Sequence, residues 1–164
     1  MVKGDSPIDM VINALEKIGA EKVFSVHDQV LVKPNYINDM HPSTGVTTDA
    51  RVVEGVVRFL KERGIENLII GEGSGFADTF QAFRVAGIDK VAERWNVKLV
   101  DLNKDPLTRV EIPAPLALKR VKVAKTALES RLVSVPKLKL HRTAGVTLSL
   151  KNMAGAVSPK GAIH

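Results

Sequence analysis

Three short, mostly apolar runs, Gln29–Val32, Asn67–Ile70 and Val97–Asp101, punctuate this chain, with helical patterns between them. Short apolar runs bounded by turn residues are what strands covered on both faces look like. Between the first two runs, Val52, Val53, Val56, Val57 and Leu60 mark one face of a helix that Gly64 closes. Between the second and third, Phe80 and Phe83 begin a helical stretch that breaks near Gly87. It resumes with Ile88, Val91, Ala92 and Trp95 on one face. This rhythm of strand, helix, strand, helix, strand predicts a parallel sheet joined by right-handed crossovers.

The flanking segments extend that frame. Ser6-Pro7-Ile8-Asp9 opens a first helix, with Ser6 placed to cap the amide of Asp9 and Pro7 where a missing N–H costs nothing. Gly19 ends it. Pro34 takes the chain out of the first strand into a long polar loop, Asn35 to Thr47, and Thr48 is expected to cap the next helix with Asp49 in its first turn. After Pro106, Thr108 to Ile112 and Lys119 to Ala124 alternate polar and apolar residues, the pattern of an antiparallel hairpin or edge ribbon. Arg131 to Val135 reads as another core strand ended by Pro136, and Lys137 to His164 carries no helical pattern. The expected fold is α/β: a mainly parallel sheet flanked by helices, with an antiparallel hairpin or edge ribbon in the second half. Residues 1–164 form a single domain in this reading.

At 164 residues, 45% of them apolar, the chain can bury an ordinary core. With 24 Lys and Arg against 18 Asp and Glu, the formal net charge is +6. That balance suits an anionic metabolite, an acidic partner protein or nucleic acid, but the few aromatics argue against a stacking platform for single strands. There is no cysteine, so this chain supplies no disulfide, iron–sulfur ligand or thiolate nucleophile. No apolar stretch reaches the ~18 residues of a membrane span, and Met1-Val2-Lys3-Gly4-Asp5 turns polar at once. A cytoplasmic location is the expectation.

In open parallel sheets, ligands bind outside the carboxyl ends of the strands. There the sequence places Lys33 and Asn35, the Gly71-Glu72-Gly73-Ser74-Gly75 turn, Asp101, and Lys137, Lys139 and His141. Gly71, Gly73 and Gly75 allow backbone amides near a ligand, and Ser74 adds a hydroxyl. The turn lacks a P-loop ending and a full dinucleotide fingerprint. A plain glycine-rich turn from strand to helix explains it equally well, and Glu72 would repel phosphate if it pointed inward. Lys137, Lys139 and Lys151 with His141 and Arg142 make the densest basic patch. In extended backbone Lys137, Lys139 and His141 share a face that can grip a carboxylate or phosphate, unless the segment is simply a solvated edge strand. Lys139, near other cations, and His141, a proton-transfer group, are the catalytic candidates. The histidines His27, His41, His141 and His164 show no metal-ligand spacing, and no metal site is expected.

Five motifs occur in order: Val32-Lys33-Pro34-Asn35; Pro42-Ser43-Thr44-Gly45-Val46-Thr47-Thr48; Gly71-Glu72-Gly73; Val135-Pro136-Lys137-Leu138-Lys139 with His141; and Leu150-Lys151-Asn152-Met153-Ala154-Gly155. Together they resemble the family called domain of unknown function three-sixty-two. Thr44, Lys151 and Asn152 stand in these motifs and join Lys33, Asn35, Gly71, Gly73, Ser74, Gly75 and Lys137 as ligand-binding candidates. The resemblance implies association with ferredoxin-like modules, hence a redox context in which any iron–sulfur cluster sits in a partner. Because the chain has no cysteine and stops at His164, where relatives continue, it reads as a shortened or truncated member. Two function classes stay open. One is an enzyme or enzyme subunit acting on an anionic small molecule; the other is a non-catalytic basic module docking an acidic ferredoxin-like protein or nucleic acid.

Overall fold

The computed structural model describes residues 2–141 and 145–163; Arg142 and His164, named above, lie outside the described residues. The elements in chain order are α1 (Pro7–Lys17), β1 (Val30–Pro34), α2 (Ala50–Lys61), β2 (Leu68–Glu72), α3 (Thr79–Ala86), α4 (Ile88–Trp95) and β3 (Lys98–Asp101). They continue with β4 (Leu107–Glu111), β5 (Arg120–Ala124), α5 (Lys125–Glu129), β6 (Arg131–Val135), β7 (Lys139–His141), β8 (Gly145–Thr147), α6 (Ser149–Asn152) and β9 (Val157–Ser158).

The main sheet has the order β3-β2-β1-β6, and every neighbouring pair in it is parallel. All five residues of β1 are buried, which is why its sequence is a continuous apolar run up to Lys33. The first two crossovers step the chain in one direction, from β1 to β2 to β3, and the third returns it to the far side of β1. The order therefore reverses between β1 and β6. One core cluster joins Val30, Val32, Leu68 and Ile70 of the sheet to Val53, Val57 and Leu60 of α2, Phe83 of α3 and Ile88 of α4. A smaller cluster, Leu31, Ile69, Leu102, Ala124 and Ala156, occupies the other face, with Ala127 of α5 and Met153 against it. Helices on one face and the returning chain on the other follow from crossovers of one hand whose direction changes once.

Local signals explain the helix ends. Ser6 Oγ accepts from the Asp9 amide at 3.3 Å, and Pro7 opens α1. Gly87 adopts a left-handed φ of 80°, closing α3 and letting α4 start in a new direction. Thr48 differs from the sequence expectation. Asp49 is the residue that caps α2, accepting from the Arg51 amide at 2.9 Å. The Thr48 hydroxyl instead accepts from the Asn35 amide and donates to the Val135 carbonyl, both at 2.9 Å, tying the ends of β1 and β6 together.

The later half forms two antiparallel units, a sheet β4-β5-β9 and a ribbon of β7 and β8. The expected hairpin is β4 with β5. Two expectations change here. The Arg131–Val135 strand is an edge of the parallel sheet, with Arg131 and Leu132 exposed, and only Val135 is fully buried. The segment after Lys137 does contain a helix, the four-residue α6. A single turn carries no periodicity to read, and its Asn152 side chain anchors it by hydrogen bonds to β1 and β6.

Candidate functional site

The carboxyl ends of β1 and β2 meet beside the point where the strand order reverses, and a cleft of about 590 Å³ opens there. Asn35, Glu72, Gly73, Lys139, His141, Lys151, Asn152 and Lys160 contribute its polar wall. Such a location is where the topology of an open α/β sheet leaves room between diverging connections.

Beneath the wall, Lys33 on β1 and Glu72 on β2 form a buried pair, with Nζ 2.7 Å from Oε1 and no exposure of the lysine. The ammonium also donates to Asn152 Oδ1 at 3.0 Å and the Pro34 carbonyl at 3.2 Å, so all three of its donors are used. Glu72 is equally engaged: Oε1 accepts from the Gly73 amide at 2.7 Å, and Oε2 from the Tyr36 amide at 2.9 Å. Burial draws the Lys33 pKa below that of an ordinary lysine, against the opposing pull of Glu72. Glu72 faces the cleft with its charge already matched.

Asn152 locks the arrangement from the other side. Its amide nitrogen donates to the Lys33 carbonyl at 2.9 Å and to Ser134 Oγ at 3.0 Å, while its Oδ1 accepts from Lys33 and from Asn35 Nδ2 at 3.2 Å. Two glycines let the backbone close over this cluster. A Cβ on Gly155 would collide with Glu72 Oε1 and lie 2.8 Å from Lys33 Nζ. One on Gly73 would collide with the Gly155 carbonyl and lie 2.9 Å from Lys160 Nζ. Here the absence of a side chain, rather than φ, is what the site requires.

Lys139 and Lys160 of the wall each place the ammonium group on backbone oxygen. Lys139 Nζ donates to the Val46 carbonyl at 2.7 Å. Lys160 Nζ donates to the carbonyls of Gly73 at 2.6 Å and Gly155 at 3.3 Å. Desolvation lowers the pKa of both, with Glu72 opposing it and a neighbouring lysine (Lys137 for Lys139, Lys33 for Lys160) adding to it. The rest of the wall is mainly apolar and includes Ile37, Phe76, Leu140 and Ala154.

The sequence candidates divide into three groups. Asn35, Gly73, Gly75, Lys139, His141, Lys151 and Asn152 line the cleft. Lys33 and Ser74 lie just under it; the Ser74 hydroxyl donates to the Tyr36 carbonyl at 2.7 Å and braces the β1 and β2 loops. Gly71, Thr44 and Lys137 are not among its lining residues. Gly71 belongs to β2, where a Cβ would lie 2.8 Å from Leu31 Cδ1, so its smallness serves core packing. Thr44 donates to the His41 carbonyl at 2.7 Å inside its own loop. Asp101, also at a strand end, accepts from Thr79 Oγ1 at 2.8 Å. Sequence reasoning did not single out Lys160, Ile37 or Phe76. Lys160 sits in a short Pro/Gly segment whose position depends on β9 pairing with β5, a contact that no local pattern announces.

A family model described as domain of unknown function (DUF362) matches residues 30–164. The chain belongs to that family. The matched span of this DUF362 chain runs from the first residue of β1 and includes every lining residue of the cleft. No curated protein and no solved structure matches it. Among the described residues no three His, Asp or Glu side chains gather as metal ligands, and the chain has no cysteine to hold an iron–sulfur cluster. No helix among them is long and apolar enough to cross a membrane.

Proposed function

We propose that this DUF362 chain binds a small anionic ligand in the cleft at the carboxyl edge of its sheet, with Lys139 and Lys160 as the cationic contacts. The observation that carries this reading is their pairing state. Both are half-buried, both donate to carbonyl oxygens, and neither forms an ion pair with a carboxylate among the described residues. Glu72, whose charge acts on both, is already paired with Lys33. Partly desolvated cations without counter-charges are stabilised by an incoming carboxylate or phosphate.

An enzymatic version of this reading uses His141, on the same wall, for proton transfer. Any iron–sulfur cluster taking part would sit in a separate protein, since this chain has no cysteine to hold one. The test of anion binding is calorimetric titration with inorganic phosphate and with acetate at low salt. Lys139→Gln and Lys160→Gln should each weaken the better of the two by ~10-fold, the scale of one charge-assisted hydrogen bond. Affinities unchanged in both variants, or no binding of either anion by the wild type, reject the reading.

A second reading, docking of an acidic ferredoxin-like protein, rests on the net charge of +6. It predicts an affinity for such a partner that drops steeply between low and physiological salt.

A further inference from the structure

The same cleft is larger and more apolar than a bare inorganic anion needs. At about 590 Å³ it has room for on the order of 20 waters, whereas phosphate has only five heavy atoms. Beside the lysines, the wall carries Ile37 from the loop after β1, Phe76 from the loop after β2, and Leu140 from β7. Phe76 is 85% exposed and Leu140 92%. A single exposed apolar side chain is ordinary. Three of them from separate segments, around one cleft that also holds cations, match the make-up of small-molecule sites: mostly apolar walls with a few polar groups that orient the ligand.

The placement of Phe76 and Ile37 is built into the backbone. The amides of Gly75 and Phe76 both donate to the Ile37 carbonyl, at 3.1 and 2.9 Å. The two loops are therefore pinned side by side, and their apolar side chains border the cleft together. Ser74 reinforces this through its bond to the Tyr36 carbonyl.

We infer that the ligand is amphipathic, an aromatic or branched aliphatic body bearing a carboxylate or phosphate, with the anion at Lys139 and Lys160 and the body against Ile37, Phe76 and Leu140. This rests on the anion reading above and narrows it to a ligand class.

The experiment uses the full chain and two probe pairs: inorganic phosphate against phenyl phosphate, and acetate against benzoate. In the wild type the aromatic member of at least one pair should bind ~10-fold tighter, as expected for partial burial of a ring. Phe76→Ser and Leu140→Ser, both at exposed positions, should narrow that gap by weakening the aromatic member more than the small anion. Urea unfolding of each variant checks that the fold is retained. Equal affinities within both pairs in the wild type would overturn the amphipathic ligand and leave anion binding standing. A gap that persists unchanged in both variants would also overturn it. If none of the four probes binds, the anion reading fails and this inference fails with it.

Discussion

Lys33 Nζ lies 2.7 Å from Glu72 Oε1 on the adjacent strand, and both side chains are buried at the floor of the cleft. A buried pair of this kind is held by mutual neutralisation, so removing one partner strands the other charge. Lys33→Met should destabilise the chain by about 3–5 kcal/mol. The double variant Lys33→Met with Glu72→Met should recover much of that loss, because neither charge is then left alone. Urea unfolding of the three proteins measures both effects; a double variant no more stable than Lys33→Met would show that the stranded carboxylate is not the cause.

Tyr36 offers a cleaner site for a pH experiment. Its ring is buried edge-on against Phe83 at 5.8 Å between centroids, and its hydroxyl has no hydrogen-bond partner among the described residues. Desolvation, with added repulsion from Glu72 and Asp49, pushes its pKa well above the ordinary tyrosine value. The native chain therefore keeps a proton that the unfolded chain releases above pH about 10, and stability falls as pH rises through that range. Lys33 acts in the opposite sense there. Its lowered native pKa means the unfolded chain binds more protons, so its contribution rises with pH up to the ordinary lysine value. Tyr36→Phe isolates the first effect. It should raise stability at pH 7 by about 1 kcal/mol by removing an unsatisfied hydroxyl, and move alkaline unfolding to higher pH. Since Tyr36 is the chain's one tyrosine, its ionisation in the wild type can be followed directly by ultraviolet absorbance.

Anion binding should carry its own pH signature. Lys139 and Lys160 both have lowered pKa values, chiefly from desolvation. Their positive charge is lost at a lower pH than for a free lysine, near 10.4. Affinity for phenyl phosphate should therefore begin to fall below that pH, and in Lys139→Gln with Lys160→Gln the remaining binding should be flatter across the alkaline range. Calorimetry at several pH values makes the comparison.

Two neighbouring residues separate capping from stitching. Asp49→Ala removes the cap of α2 and should cost ~1 kcal/mol. Thr48→Val breaks bonds to both the Asn35 amide and the Val135 carbonyl in a buried setting, which should cost about 2 kcal/mol or more. It should also weaken ligand binding, because Asn35 lines the cleft. Equal losses for the two variants in thermal unfolding would argue against this division of roles.

The glycine that crosses the buried pair is a further sensitive point. Gly155→Ala places a methyl group where Glu72 Oε1 and Lys33 Nζ now lie. The variant should lose about 1–3 kcal/mol through overpacking, measured by urea unfolding. Gly161→Ala, where a Cβ meets nothing within 4 Å, serves as the control and should be close to neutral.

What the sequence determined by itself was the frame. Periodicity of 3.6 in Val52 to Leu60 and short apolar runs at Val30, Leu68 and Val97 follow from burial of each element's own surface, so they can be read locally. Once the strands are parallel, Asn35 and Gly73 gather at one edge by topology alone, and Lys139 joins them through the β7–β8 ribbon that follows β6. The Thr48 expectation failed because two adjacent residues both suit a cap, and only the position of Val135 decides that the Thr48 hydroxyl is used elsewhere. The smallness of Gly71 and Gly155 likewise depends on what lies opposite: Leu31 in one case, the Lys33–Glu72 pair in the other. Tertiary structure alone decided that Lys33 is buried and spent on Glu72, and that Lys160 reaches the cleft. Pairing and desolvation are properties of groups distant in the chain and close in space, and no local pattern records them.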